Sequence, residues 1–135
     1  MSEALLERLR AAARARPLRI ALPEASDERI RAAARRLHEE GLAQPVLVGA
    51  RSADWPRQPY AELRAAADHP CLDAYARAYA ATRPGVSERV ARRIVAKPLF
   101  HAAMMVRSGD ADALLAGAAI PTARVLEAAM LTIGL

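Results

Sequence analysis

Residues 45–49, Pro-Val-Leu-Val-Gly, are a short apolar run closed by proline at one end and glycine at the other. Three consecutive aliphatic residues without polar alternation suit a strand covered on both faces, as strands of a parallel sheet are. This requirement constrains the chain more than any other feature. Parallel strands cannot be joined by tight hairpins, so helices must lie between them.

The flanking sequence supplies that alternation. Residues 2–15 read as a helix with Leu5, Leu6 and Leu9 on one face, stopped by Pro17, and residues 18–22, Leu-Arg-Ile-Ala-Leu, as a strand ending at Pro23. A second helix follows, with Ser26 as N-cap, Asp27 and Glu28 in its first turn, Ile30, Ala33, Ala34 and Leu37 along one face, and Gly41 as its stop. Residues 50–58 form a polar connection and 59–66 a short helix, broken at Asp68-His69-Pro70. Helices are expected over 71–83, over 87–96 with Ser87 as cap, and over 98–107 with Pro98 at an early position. Gly109 ends the last of these; Asp110 and Asp112 suit a turn rather than an acid/base pair. Residues 111–116 make a third strand, and Pro121–Ile133 a final helix with Thr122 as its candidate cap. The expected fold is α/β, three layers α/β/α around a small, mainly parallel sheet, with residues 1–135 as one unit.

Composition narrows the function classes. The 135 residues are 53% apolar and 26% charged, without a run near the ~20 apolar residues needed to cross a bilayer, so no membrane partner is expected. The net charge of +5 comes from arginines spread over every segment, with one Phe, one Trp and three Tyr for base stacking, which argues against nucleic acid. A single cysteine, Cys71, and a start without an apolar signal core point to a cytoplasmic setting. His38, His69 and His101 have no metal-ligand spacing with one another or with Cys71, so no metal is expected. Dinucleotide (GxGxxG) and phosphate-loop (GxxxxGK[ST]) motifs are missing from the sequence.

Parallel sheets hold ligands in the crevice beyond the carboxyl ends of their strands. Here those ends are Pro23-Glu24, Gly49-Ala50-Arg51 and Gly117-Ala118-Ala119-Ile120-Pro121-Thr122. The third is the best candidate, because Gly117 leaves room for a ligand against the backbone and a helix starting near Thr122 aims free N–H groups at an anion. The competing reading is that the small residues only let strand and helix pack closely. Arg83 has an equally simple reading as a cation at a helix C-terminus.

The blocks "RIALPEASDERIRAAARRLHEEGLAQPVLVG", "CLDAYARAYAATRPGVS", "PLFHAAMMVRSGDADALLAGAA" and "PTARVLEAAMLTIGL", in this order and spacing, resemble the N-terminal part of the phosphate acetyl/butyryltransferase family. The resemblance implies an enzyme that interconverts acetyl-CoA plus phosphate with acetyl phosphate plus CoA, taking CoA and acetyl-CoA as substrates with no further cofactor. It implies two α/β domains with the active site between them, usually in a dimer. It gives Arg83, in Tyr79-Ala80-Ala81-Thr82-Arg83, an anion- or CoA-binding role. Where many members carry an arginine, this chain has Glu127, which cannot hold phosphate; either Arg124, one turn earlier, takes over the charge or the pocket is built differently. The family's second domain, with its catalytic base and serine, is not matched. The sequence is therefore expected to be a partial acyltransferase, inactive by itself, with exposed apolar surface and a tendency to self-associate. The alternatives are a short paralogue that binds CoA or acyl phosphate without catalysis, and an inactive remnant.

Overall fold

The computed structural model describes residues 2–51 and 57–134. Among these residues, four parallel strands form one sheet in the order β3-β2-β1-β4: β1 Leu18–Leu22, β2 Ala43–Gly49, β3 Glu62–Ala65 and β4 Ala113–Leu114. Six helices accompany them: α1 Glu3–Ala15, α2 Glu28–Glu39, α3 Leu72–Ala81, α4 Glu88–Val95, α5 Pro98–Arg107 and α6 Thr122–Thr132. The α/β architecture with a parallel sheet is the one expected.

Side chains leave the strands with period two and so feed two cores. Ala21 of β1 and Val46 and Val48 of β2 face α3, α4, α5 and α6, where they meet Tyr75, Tyr79, Val95, Phe100, Met104 and Met105. Leu22 and Leu47 point the other way and pack with Ala34 and Ile30 of α2. The Pro-Val-Leu-Val-Gly run is buried from end to end, as a central parallel strand requires. Its proline is tolerated because β3 pairs only from Val46 onward, so Pro45 stands before that ladder begins.

Several boundaries differ from those expected. The segment 59–66 is not a helix; it contains β3, paired with Val46–Gly49 of β2. The expected strand over 111–116 contracts to two residues. The cap of α2 is Asp27, not Ser26: its carboxylate accepts from the Arg29 N–H at 2.8 Å. The polar connection expected over 50–58 lies largely outside the described residues.

The turn after α5 is built as expected. Gly109 adopts φ +81°, Asp110 N–H donates to Met105 O at 2.8 Å and Gly109 N–H to Val106 O at 3.2 Å, closing the helix in a Schellman motif. Asp112 then bonds Arg19 on both sides, its carboxylate accepting from Arg19 N–H and its own N–H donating to Arg19 O, each at 2.8 Å. Ser87 caps α4, with Oγ accepting from Val90 N–H at 3.2 Å. Replacing it by alanine is expected to cost about 1 kcal/mol, read as a lower urea midpoint with an unchanged slope.

Candidate functional site

The strand order reverses at β1. The chain moves outward from β1 to β2 and β3, then returns through α3, α4 and α5 to place β4 on the other side of β1. The crevice beyond the carboxyl ends of β1 and β4 is thus the topological switch point, where open parallel sheets receive ligands. A cavity of about 430 Å³ opens there.

Three segments build it. Pro23 follows β1; Lys97, Pro98, Leu99 and Phe100 are the start of α5; Ala119, Ile120, Pro121 and Arg124 are the loop after β4 and the first turn of α6. Two helices therefore begin at its wall. The N-cap positions are Lys97 for α5 and Pro121 for α6, and neither gives its helix a side-chain cap. First-turn N–H groups and the positive ends of two helix dipoles are left available to an anion. Lys97 and Arg124, both exposed, add two full positive charges, and no acidic residue among the described residues lines the cavity. Leu99, Phe100, Ile120 and the prolines supply an apolar surface beside this charge.

The expected site residues separate into two groups. Arg124 lines the cavity. Thr122 lies beside it as the first helical residue of α6, and Pro121, extended at φ −58° and ψ 143°, takes the N-cap position that Thr122 was expected to hold. Gly117 lies on the approach to the same wall. Its φ of +118° is the reason for glycine there, because an added Cβ would meet nothing within 4 Å. Arg83 stands apart. It follows α3, and its guanidinium donates to Met130 O at 3.5 Å, in the last turns of α6 and six residues beyond Arg124. At 1.5 Å rise per residue this is about 9 Å along the helix. Glu127 is exposed and does not line the cavity.

Two residues to which sequence reasoning assigned no role bear on the site. Lys97 is the first. Glu24 is the second: its Oε1 accepts the N–H of Gly117 at 2.5 Å and of Ala118 at 3.1 Å, and its Oε2 the N–H of Ala119 at 2.6 Å. Burial pushes the carboxyl up, but these backbone donors outweigh it and hold it below the usual carboxylate range. On the far side of the loop, Arg29 donates to Ala118 O at 3.0 Å while pairing with Asp27.

A second polar cluster lies among α3, α5 and β3. Arg64 donates to the Tyr75 hydroxyl at 3.2 Å, and that hydroxyl donates to the Asp110 carboxylate. Burial first, then this bond, push the Tyr75 phenol well above its ordinary value. His101 is fully buried beside the rings of Tyr75 and His69. Among the described residues, no group of three His, Cys, Asp or Glu side chains is placed to hold a metal ion, and no helix is long and apolar enough to cross a membrane.

The family model described as phosphate acetyl/butaryl transferase matches residues 4–135. The chain belongs to that family. Among curated relatives, a phosphate acetyltransferase of Paracoccus denitrificans is 38% identical over 133 residues, covering 96% of this chain and 40% of the relative. One from Acetivibrio thermocellus is 30% identical over 118 residues, covering 82% of this chain and 36% of its own length. Among solved structures, a phosphotransacetylase from Streptococcus pyogenes superposes with a TM-score of 0.85 at 26% identity, over 98% of this chain and 43% of that one. The chain thus spans about two-fifths of the length of the relatives it matches. The fold expected from the family resemblance, the first part of a phosphotransacetylase, is the fold found.

Proposed function

We propose that this chain forms one wall of a phosphate acetyltransferase active site and that the switch-point cavity holds the anionic end of an acyl phosphate, inorganic phosphate or CoA. The observation that carries the reading is the convergence of two helix starts without side-chain caps, Lys97 and Arg124 on a cavity whose described lining includes no acidic residue. In the reaction the CoA sulfur attacks the acetyl carbonyl of acetyl phosphate, the tetrahedral oxyanion collapses, and the C–O bond to phosphate breaks, leaving a thioester and inorganic phosphate. Lys97, Arg124 and the N–H groups near Thr122 neutralise the phosphate in both directions of this exchange. Leu99, Phe100 and Ile120 shelter the acyl carbon from water. The loop from Gly117 sets the distance between these groups.

Among the described residues, the cavity lining contains no carboxylate, imidazole, thiol or hydroxyl, so the base that takes the thiol proton is not among these residues. This favours, as the second reading, a module that binds CoA or acyl phosphate without turning it over. Assays separate the two. The 135-residue chain is expected to make no acetyl phosphate from acetyl-CoA and phosphate, and turnover by it would overturn the assignment of the base elsewhere. Calorimetric titration with acetyl phosphate or CoA is expected to saturate in the millimolar range, about −4 kcal/mol. A flat titration with every one of these ligands defeats both readings. We also read the chain as cytoplasmic and self-associating, as a dimer. Leu126 and Met130 of α6 and Ile133 just after it, all exposed, support that, and sedimentation against concentration tests it.

A further inference from the structure

We propose that Glu24 is the positioning residue of the cavity: its carboxylate occupies the N–H groups of Gly117, Ala118 and Ala119, and so fixes where Ile120, Pro121 and Arg124 stand. The inference rests on the reading of the cavity as an anion site only for its functional consequence; the geometric claim stands without it.

Glu24 sits two residues after the end of β1 with its side chain buried, beyond the other strand of the switch point from the loop it holds. Three successive N–H groups turned toward one point form the concave donor arrangement that elsewhere receives a phosphate oxygen. Here both carboxylate oxygens fill it from within the chain, at 2.5, 3.1 and 2.6 Å. The loop has no side chain that could hold itself, since 115–121 reads Leu-Ala-Gly-Ala-Ala-Ile-Pro. Its conformation is therefore imposed from outside, by Glu24 on its N–H groups and Arg29 on the Ala118 carbonyl. The next residues along the chain, Ile120 and Pro121, are cavity wall, and Arg124 follows within one turn. Because Glu24 is not itself in the cavity lining, it acts through the loop and not on the ligand.

A carboxylate fits this task and an amide does not. Glutamine offers one acceptor oxygen, and its NH2 would face an N–H of the loop donor to donor. Glu24→Gln is thus a nearly isosteric change that keeps the packing and breaks the bidentate grip. Glu24→Ala empties the donor concavity and leaves room for an exogenous carboxylate.

The test is amide hydrogen exchange of the protein at neutral pH, with formate as the probe. In Glu24→Gln, protection of the Gly117 and Ala119 amides is expected to fall about tenfold or more while that of β1 and β2 is kept. In Glu24→Ala the same protection is expected to be lost and then restored by added formate, which leaves wild type and Glu24→Gln unaffected. A purely structural role would not return on adding a one-carbon anion. Unchanged protection in Glu24→Gln overturns the proposal, and so does Glu24→Ala without formate rescue; if Glu24→Ala does not fold, the Glu24→Gln result decides. Phosphate titration of the same proteins separates the two readings. No phosphate binding by wild type, with the exchange results as expected, sinks the anion site and leaves the positioning role standing; wild-type binding that weakens about fivefold or more in Glu24→Gln supports both.

Discussion

Between pH 6.5 and about 4 the protein is expected to lose about 3 kcal/mol of folding stability through His101 alone, and His101→Leu is expected to remove that loss. His101 projects from α5 into the core with no solvent exposure, and neither ring nitrogen has a hydrogen-bond partner among the described residues. Burial, then the charges of His69 and Arg64, pull its pKa from 6.5 to about 4, against a smaller opposing pull from Asp110. The folded state keeps the ring neutral while the unfolded chain takes up a proton at its ordinary value. Across that window the unfolded state binds more protons, so stability falls as pH falls, and below about 4 the loss is complete. The gap between the two values corresponds to about 3 kcal/mol. Leucine has nearly the same volume and no polar atom to leave unsatisfied. At pH 7 it is expected to raise stability by about 1–2 kcal/mol, since two buried nitrogens no longer lack partners. Urea unfolding at pH 7, 5.5 and 4.5 checks both statements. His69, shifted downward by burial as well, leaves a shallower slope in the variant. An equal slope in wild type and variant would remove His101 as the cause.

The same histidine shows where sequence reading stops. Its position on a helix is legible, since the helix over 98–107 is expected from the sequence. That its ring finds Tyr75 and His69 but no acceptor is a fact of packing between α3 and α5, and pattern does not carry it. The strands divide likewise. Pro45–Gly49 announces itself because a doubly covered strand has to be continuous in apolar residues. Glu62–Ala65 does not, because Glu, Leu, Arg and Ala are all helix formers and only pairing with β2 makes them a strand. The third expected strand is shorter than its apolar run, pairing with β1 at Ala113 and Leu114, and pattern does not carry that limit. At the site, the rule that ligands gather at strand ends points to the segment Gly117–Thr122, of which Ala119, Ile120 and Pro121 line the cavity. It does not locate Lys97, whose place there depends on how the α3–α5 excursion returns to the sheet. Nor does it place Arg83, whose guanidinium donates to the Met130 carbonyl in the last turns of α6.

Reversing both cavity cations, Lys97→Glu with Arg124→Glu, is expected to cut the affinity for inorganic phosphate about a hundredfold, roughly tenfold for each position, because reversal replaces an attraction with a repulsion. Loss of binding after mutation is ordinarily open to the objection that the protein has unfolded. Here the electrostatics run the other way. Both residues lie at helix starts, Lys97 at the N-cap of α5 and Arg124 in the first turn of α6. A carboxylate at such a position interacts favourably with the dipole, so each reversal is expected to leave thermal stability unchanged or slightly higher. Affinity and stability should therefore move in opposite directions, a combination that general damage does not produce. Arg83→Ala supplies the control, since that guanidinium contacts a backbone carbonyl at the far end of α6 and its loss should leave phosphate binding as it was. Raising salt should weaken binding in wild type far more than in the doubly reversed protein, because exposed charges are screened within about 10 Å at 0.1 M. If calorimetry finds phosphate bound equally well by wild type and the double reversal, these two cations are not the anion's partners, and the switch-point cavity is not where the phosphate sits.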